Sequence, residues 1–259
     1  MIRLALLGAT GRMGRRTLAL LPEDNRFELS AALTRLDDPQ LGQEIQPGAK
    51  SVTLTASTQT PFDVLLDFSI PAGTMQWLEH CEQSGSAMVI GATGYTDAQS
   101  ARIEKAAARI PILKASNFGI GINLLLRMIG RMAQSLGDGY DIEIIEHHHK
   151  NKVDAPSGTA IALAEAIVES TGRDRKRDVV FGRAGNTGER PPRQIGIHAI
   201  RMGALVSRHE VYFGGPEETI TLTHTAHSRD VFVRGALQAA AWIHGKPTGM
   251  YRMTDVISR

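Results

Sequence analysis

The sequence predicts an α/β protein: a doubly wound parallel sheet with an inserted α+β domain built on an open mixed sheet. Three observations predict it. Apolar runs of strand length alternate with helical periodicity up to about residue 119. The first run, Ile2–Leu7, leads at once into Gly8-Ala9-Thr10-Gly11-Arg12-Met13-Gly14 and then into a helix. Beyond residue 120 the alternation stops, and strand-like runs follow one another without helices between them.

Ile2–Leu7 is short and apolar throughout, as expected of a parallel strand buried on both faces. Its glycine loop permits a tight turn, and the helix N-terminus after it can hold a pyrophosphate. The spacing is Gly-x-x-Gly-x-x-Gly rather than Gly-x-Gly-x-x-Gly. Alone that signal is weak; at the start of a strand-loop-helix unit it reads as a Rossmann-like dinucleotide loop. The second strand is Phe27–Leu33. An acid often follows it in NAD-binding units, to hold the ribose hydroxyls. Here Thr34 and Arg35 follow. Arg35 can pair with a 2′-phosphate, which makes NADPH plausible beside NADH; otherwise it is a surface arginine at a strand end.

Residues 36–61 read as loop with a short strand at 52–54, and 62–68 as a buried strand. A helix follows from Pro71 to about residue 83, then a strand at 87–90. That strand ends in Gly91-Ala92-Thr93-Gly94, a small-residue turn on the ligand side of an open sheet. A helix at 97–109 and a strand at 112–113 lead to Ala115-Ser116-Asn117-Phe118-Gly119.

From 121 onward Leu124, Leu125, Met128, Ile129, Met132 and Leu136 form one long helical face. Strand-like runs lie at 141–146, 179–181, 195–201, 208–213 and 219–225. Residues 173–177 read as a solvated turn. The loop at 182–193, with its glycines, prolines and arginines, is long enough to suggest a function. A helix at 228–244 is expected to return to the first domain. The expected domains are therefore 1–119 completed by 228–259, for the dinucleotide, and 120–227, for substrate and oligomerisation. The second domain has few helices to cover its sheet. A bare face is expected to be apolar and to pair with copies of itself.

The densest chemistry lies at 141–168. A strand alternating Ile142 and Ile144 with acids leads into His147-His148-His149-Lys150-Asn151-Lys152, and then into Pro156-Ser157-Gly158-Thr159. Ser157 is a good N-cap for the Ala-rich helix after it. Free N–H groups at Gly158 and Thr159, with two hydroxyls, would face outward as an anion site. Acid-base side chains beside a carboxylate-sized pocket suggest an enzyme for a small acidic molecule. The bland readings are a solvated histidine loop and a simple cap. A metal site is disfavoured, because there is no His-Glu-x-x-His and no cysteine nearby.

Composition bounds the rest. Hydrophobic content of 42% and charge of 22% over 259 residues fit a globular chain with a real core. A net charge of +2 without a long basic run argues against nucleic acid as the main partner. The single cysteine, Cys81, excludes an internal disulfide and suggests a reducing, cytoplasmic setting. No apolar run reaches membrane-spanning length and no leader is evident.

With these motifs placed, the whole chain resembles the dihydrodipicolinate reductase family of lysine and diaminopimelate biosynthesis. The stretch from Glu146 to Ala160 resembles the family signature E-x-H-H-x-x-K-x-D-x-P-S-G-T-A. Gly8 to Gly14, Gly91 to Gly94, Asn117-Phe118 and Gly188-Glu189-Arg190 resemble further family motifs. The resemblance implies reduction of a cyclic dicarboxylic substrate with NADPH or NADH, and a homotetramer. It implies an acid-base role for His148, proton donation by Lys152, and substrate binding by His149, Ser157, Gly158 and Thr159. It implies cofactor contacts from Gly8, Ala9, Thr10, Gly11, Arg12, Met13, Gly91, Ala92, Thr93, Ala115, Ser116, Asn117 and Phe118. This chain departs from the family in two places. Thr34-Arg35 replaces the usual acid-Arg pair, and Ala92 replaces a threonine. A nucleotide-sensing regulator is the rival from another class, but no tyrosine is followed four residues on by lysine. An amino-acid dehydrogenase would share the first domain but not the second motif.

Overall fold

The computed structural model describes residues 1–48 and 50–257. The chain divides into two compact units, 1–120 with 230–259 and 121–229.

The first unit contains strands β1 (Ile2–Leu7), β2 (Phe27–Leu33), β3 (Glu44–Ile45), β4 (Val52–Thr55), β5 (Val64–Asp67), β6 (Ala87–Ile90) and β7 (Pro111–Lys114). Helices α1 (Arg12–Leu20), α2 (Pro71–Ser84) and α3 (Asp97–Ala106) alternate with them. The chain continues as α4 (Ile120–Leu136), which leads into the second unit. That unit adds β8 (Asp141–His148), α5 (Gly158–Thr171), α6 (Arg175–Asp178), β9 (Val179–Phe181), β10 (Ile195–Arg201), β11 (Ser207–Gly214) and β12 (Thr219–Ala226). The chain then re-enters the first unit with α7 (Asp230–Ile243), β13 (Gly249–Tyr251) and α8 (Met253–Val256).

The first sheet has eight strands in the order β13-β7-β6-β5-β1-β2-β4-β3, parallel except for β3 against β4. Its central strands β1, β5 and β6 are buried on both faces along most of their length, as their apolar sequences require. Leu4 and Leu6 face one core with α7 and α8, while Ala5 and Leu7 face the other with Trp77, Leu78 and Ile103 of α2 and α3. Strand order runs outward both ways from β1, so the crevice at the carboxyl ends of β1 and β5 is the topological switch point.

The second sheet has five strands in the order β12-β11-β8-β10-β9. One face packs Ile142, Ile144, Ile195, Ile197, Val211 and Phe213 against α4 and α5. The opposite face is not the apolar surface expected. Strand alternation places Glu143, Ile145, His147, Glu210, Tyr212, Thr221 and Thr223 there, and Glu143 is bound by Arg183, Arg190 and His198.

Other expectations are corrected. Residues 174–177 are solvated as expected, though they form the start of α6, capped by Asp174, but Arg173 is not: it is 5% exposed and its Nε–H donates to Arg193 O at 3.0 Å. The tight run of charges hides a buried arginine, which charge pattern alone does not show. The helix expected at 97–109 stops at Ala106, and β3, β13 and α8 had no periodic signal at two to four residues each.

Candidate active site

In the second unit, β8 changes character along one face. Ile142 and Ile144 belong to the core, and the next two positions on that face are Glu146 and His148. In register with Glu146 stands His209 of β11, and His209 stands opposite His224 of β12. In register with His148 stands Arg201 of β10. A polar band thus crosses the sheet at the carboxyl end of β8.

Glu146 is its centre, with 0% exposure. Its carboxylate accepts from His148 Nδ1 at 2.6 Å, from Arg201 Nη1 at 2.7 Å and Nη2 at 2.6 Å, and from Ser157 N–H at 2.9 Å. Burial alone would raise the Glu146 pKa. The bonds from His148, Arg201 and Ser157 outweigh it and bring the carboxyl down to about 2. An ionised Glu146 requires His148 Nδ1 to be the donor, so Nε2 is the nitrogen left to exchange a proton.

Arg201 also donates to Asp154 O at 2.7 Å, and Met202 N–H donates to His148 O at 3.0 Å. These bonds tie the 149–156 loop to the sheet. Lys152 Nζ donates to both oxygens of Asp154 at 2.8 Å. His149 Nε2 lies 3.5 Å from Arg229 Nη2.

Ser157 caps α5: its Oγ accepts from Ala160 N–H at 3.2 Å and lies 3.1 Å from His209 Nε2. The hydroxyl therefore points inward, contrary to the outward orientation expected, because helix start and sheet share it. Gly158 is exposed, and a methyl group added to it would meet nothing within 4 Å. The exposed start of α5 is thus at Gly158, with the half-buried Thr159 next to it. Burial, then the neighbouring His148, push His209 down to about 3, so it is neutral at pH 7.

In the first unit, the glycine loop is shaped by contacts that exclude side chains. Gly8 has φ +81°, and a Cβ there would lie 2.7 Å from Phe68 O. A Cβ at Gly14 would lie 2.1 Å from Gly8 O. Gly11 is the N-cap of α1 without a side-chain cap bond, so the first-turn N–H groups keep their capacity for phosphate oxygens.

A cavity of about 650 Å³ opens beside this loop, lined by Gly8, Thr10, Gly11, Arg15, Arg35 and Asp38 among others. Its size suits part of a dinucleotide. A second cavity, of about 180 Å³, is lined by Met13, Phe68, Gly91, Ser116, Asn117, Phe118 and Phe232. Ala9 and Ala92 are buried, and Ala115 is half-buried with its N–H donating to Ile90 O at 3.0 Å. Arg12 and Thr93 are exposed. A glycine-only turn, an uncapped helix start and a cavity at the switch point together fit a nicotinamide dinucleotide.

Two family models cover nearly the whole chain. The one for the N-terminus of dihydrodipicolinate reductase matches residues 2–118, and the one for its C-terminus matches 121–257. The chain belongs to the dihydrodipicolinate reductase family.

The 4-hydroxy-tetrahydrodipicolinate reductase of Thiobacillus denitrificans is 44% identical, over 99% of this chain and 98% of its own. That of Syntrophotalea carbinolica is 40% identical over 99% of both chains. A solved dipicolinate-bound dihydrodipicolinate reductase from a Paenisporosarcina species superposes with a TM-score of 0.80, at 27% identity, over 100% of both chains.

Sequence reasoning did not single out Arg201, His209, His224 or Asp38. The first three lie on strands about 50 to 80 residues beyond the histidine loop, and only strand register brings Arg201 and His209 to Glu146 and His224 to His209. Glu146 was legible as the first letter of the signature, but its role was not.

Proposed function

We propose that this chain reduces 4-hydroxy-tetrahydrodipicolinate to tetrahydrodipicolinate in lysine and diaminopimelate biosynthesis, using NADPH or NADH. The observation that carries the reading is the buried Glu146–His148 pair, set beside the open N-terminus of α5 on a family member's framework. The sensor and amino-acid dehydrogenase readings lose their ground with the family assignment.

The cofactor supplies a hydride when bound. The chain's own residues supply binding, charge and a proton. The N–H groups of Gly158 and Thr159 grip one substrate carboxylate at the helix start, and His149 assists. Ser157 acts beneath them, by holding the helix start and His209 together. Glu146 fixes the tautomer of His148, whose Nε2 moves the proton that must reach the reduced ring. Lys152, placed by Asp154, stabilises developing negative charge and serves as the second donor. Gly8 to Met13 and Arg35 serve the adenosine and phosphate side, and the residues around Gly91 and Asn117 the nicotinamide side. Arg35 is exposed at the cavity rim, 3.5 Å from Asp37, and in this reading it meets a 2′-phosphate.

The chain works as a cytoplasmic enzyme and a homotetramer in this reading. Support for self-association is the family resemblance and the sheet face that carries Glu143 and Tyr212, on which neither α4 nor α5 packs.

The test is to generate the cyclic substrate in the cuvette and follow the fall of NADPH absorbance. His148→Gln and Lys152→Ala should each lower kcat by about 10²-fold or more while dinucleotide titrations stay unchanged. Near-normal turnover in both variants would overturn the assignment of the loop.

A further inference from the structure

The cavity of about 650 Å³ beside the glycine loop contains a carboxylate that no family motif predicts. Asp38 lies five residues beyond β2, half-buried, in the turn that closes the cavity beside Arg35. Its Oδ2 accepts from Thr10 Oγ1 and from Thr34 Oγ1, each at 2.6 Å. Its Oδ1 accepts from Gln40 N–H at 2.9 Å. Thr10 belongs to the glycine loop and Thr34 directly follows β2, so both walls of the cavity hold this side chain in place. The hydroxyl bonds from Thr10 and Thr34, then the Gln40 N–H, bring its pKa down to about 2, so it is ionised at pH 7.

A carboxylate offers about four lone-pair positions. Three are taken, two of them on Oδ2, which leaves one on Oδ1. Thr34 stands where dinucleotide-binding units commonly carry the acid that receives a ribose hydroxyl. A threonine cannot supply that negative charge, but this one fastens a carboxylate from the next turn.

We infer that Asp38, held by Thr10 and Thr34, is the ribose-hydroxyl acceptor of this chain and sets its balance between NADH and NADPH. The inference rests on the cofactor reading above and goes beyond it. Asp38 and Arg35 then act as opposed determinants on one cavity wall. The carboxylate favours the free 2′-hydroxyl and repels a 2′-phosphate, while the guanidinium attracts the phosphate. Arg35 is itself drawn toward Asp37, so the phosphate must compete for it.

The experiment is direct titration of the purified protein with NADH and with NADPH by fluorescence, repeated with AMP and with adenosine 2′,5′-bisphosphate as calorimetric probes. Asp38→Asn should weaken NADH and AMP by about tenfold or more, the scale of a lost charge-assisted bond. NADPH and the bisphosphate should hold or tighten, so the preference shifts toward the phosphorylated ligands. Thr34→Val, which keeps the carboxylate but removes one of its anchors, should shift the preference the same way by less. Circular dichroism checks that both variants fold. Equal changes for the phosphorylated and unphosphorylated ligands, or none, would overturn the inference while leaving the cofactor reading intact. Wild-type protein that binds neither dinucleotide would overturn that reading and this inference together.

Discussion

The Glu146 carboxylate accepts four hydrogen bonds, and they fix different things. The one from His148 sets a tautomer, the pair from Arg201 anchors a loop, and the one from Ser157 N–H seats a helix. Glu146 is thus a positioning residue. Glu146→Gln should lower kcat by about 10-fold or more with little change in dinucleotide affinity, because a neutral amide no longer requires Nδ1 to be the donor. An unchanged kcat in stopped-flow assays would show that the pair is structural only. The neighbouring His147 is on the opposite sheet face by strand alternation, across from Arg208 and near Glu210. His147→Gln should therefore leave kcat unchanged, and a loss comparable to that of His148→Gln would contradict the assignment. The sequence placed three histidines in a row; the pleat of one strand separates the second from the first.

Among the elements, the start of α5 and the middle of α7 make opposite use of glycine. A Cβ at Gly158 would meet open space, whereas one at Gly235 would lie 1.8 Å from Phe118 O. Gly235→Ala should cost about 1–3 kcal/mol in urea unfolding, because α7 must move away from the chain after β7. Gly158→Ala should leave the unfolding midpoint nearly unchanged, since alanine suits a helix. It should instead weaken calorimetric binding of a dicarboxylate such as dipicolinate, because the methyl group covers the N–H groups. Loss of stability without loss of binding in Gly158→Ala would refute that placement. Helices α1, α2 and α5 were legible because a glycine loop, a proline or a serine cap marks where each begins. Strands β3 and β13 were not: β3, at two residues, is too short to show a period, and β13 is short and pairs with β7, which is distant in sequence.

For the molecule as a whole, the buried polar band makes stability depend on pH. His209 falls from an ordinary 6.5 to about 3 on folding, and Glu146 from 4.5 to about 2. In both cases the unfolded chain binds the proton more readily. The stabilisation is complete above the unfolded value and is lost as pH falls toward the folded one. Thermal melts should therefore show the midpoint falling from about pH 6.5 downward, more steeply below about 4.5, where Glu146 joins. His209→Asn should flatten the limb between about pH 6.5 and 3, whatever it does to the midpoint at neutral pH. An identical slope would mean that His209 is already protonated in the folded protein. Light scattering at micromolar concentration tests self-association, and a monomer there would refute the tetramer.

The sequence by itself determined the elements that carry periodic or capped signals: the buried parallel strands, the glycine turn, the cap at Ser157 and the membership that the 146–160 stretch discloses. These are local properties, fixed by side-chain period, backbone freedom and hydrogen-bond capacity. The tertiary structure decided what depends on register between distant strands. It set Arg201 and His209 beside Glu146, turned the Ser157 hydroxyl inward, gave the second sheet a polar rather than apolar open face, and held Asp38 against Thr34. Sequence distance carries no information about those meetings, because pairing across a sheet joins residues by the geometry of the ladder rather than by their order in the chain.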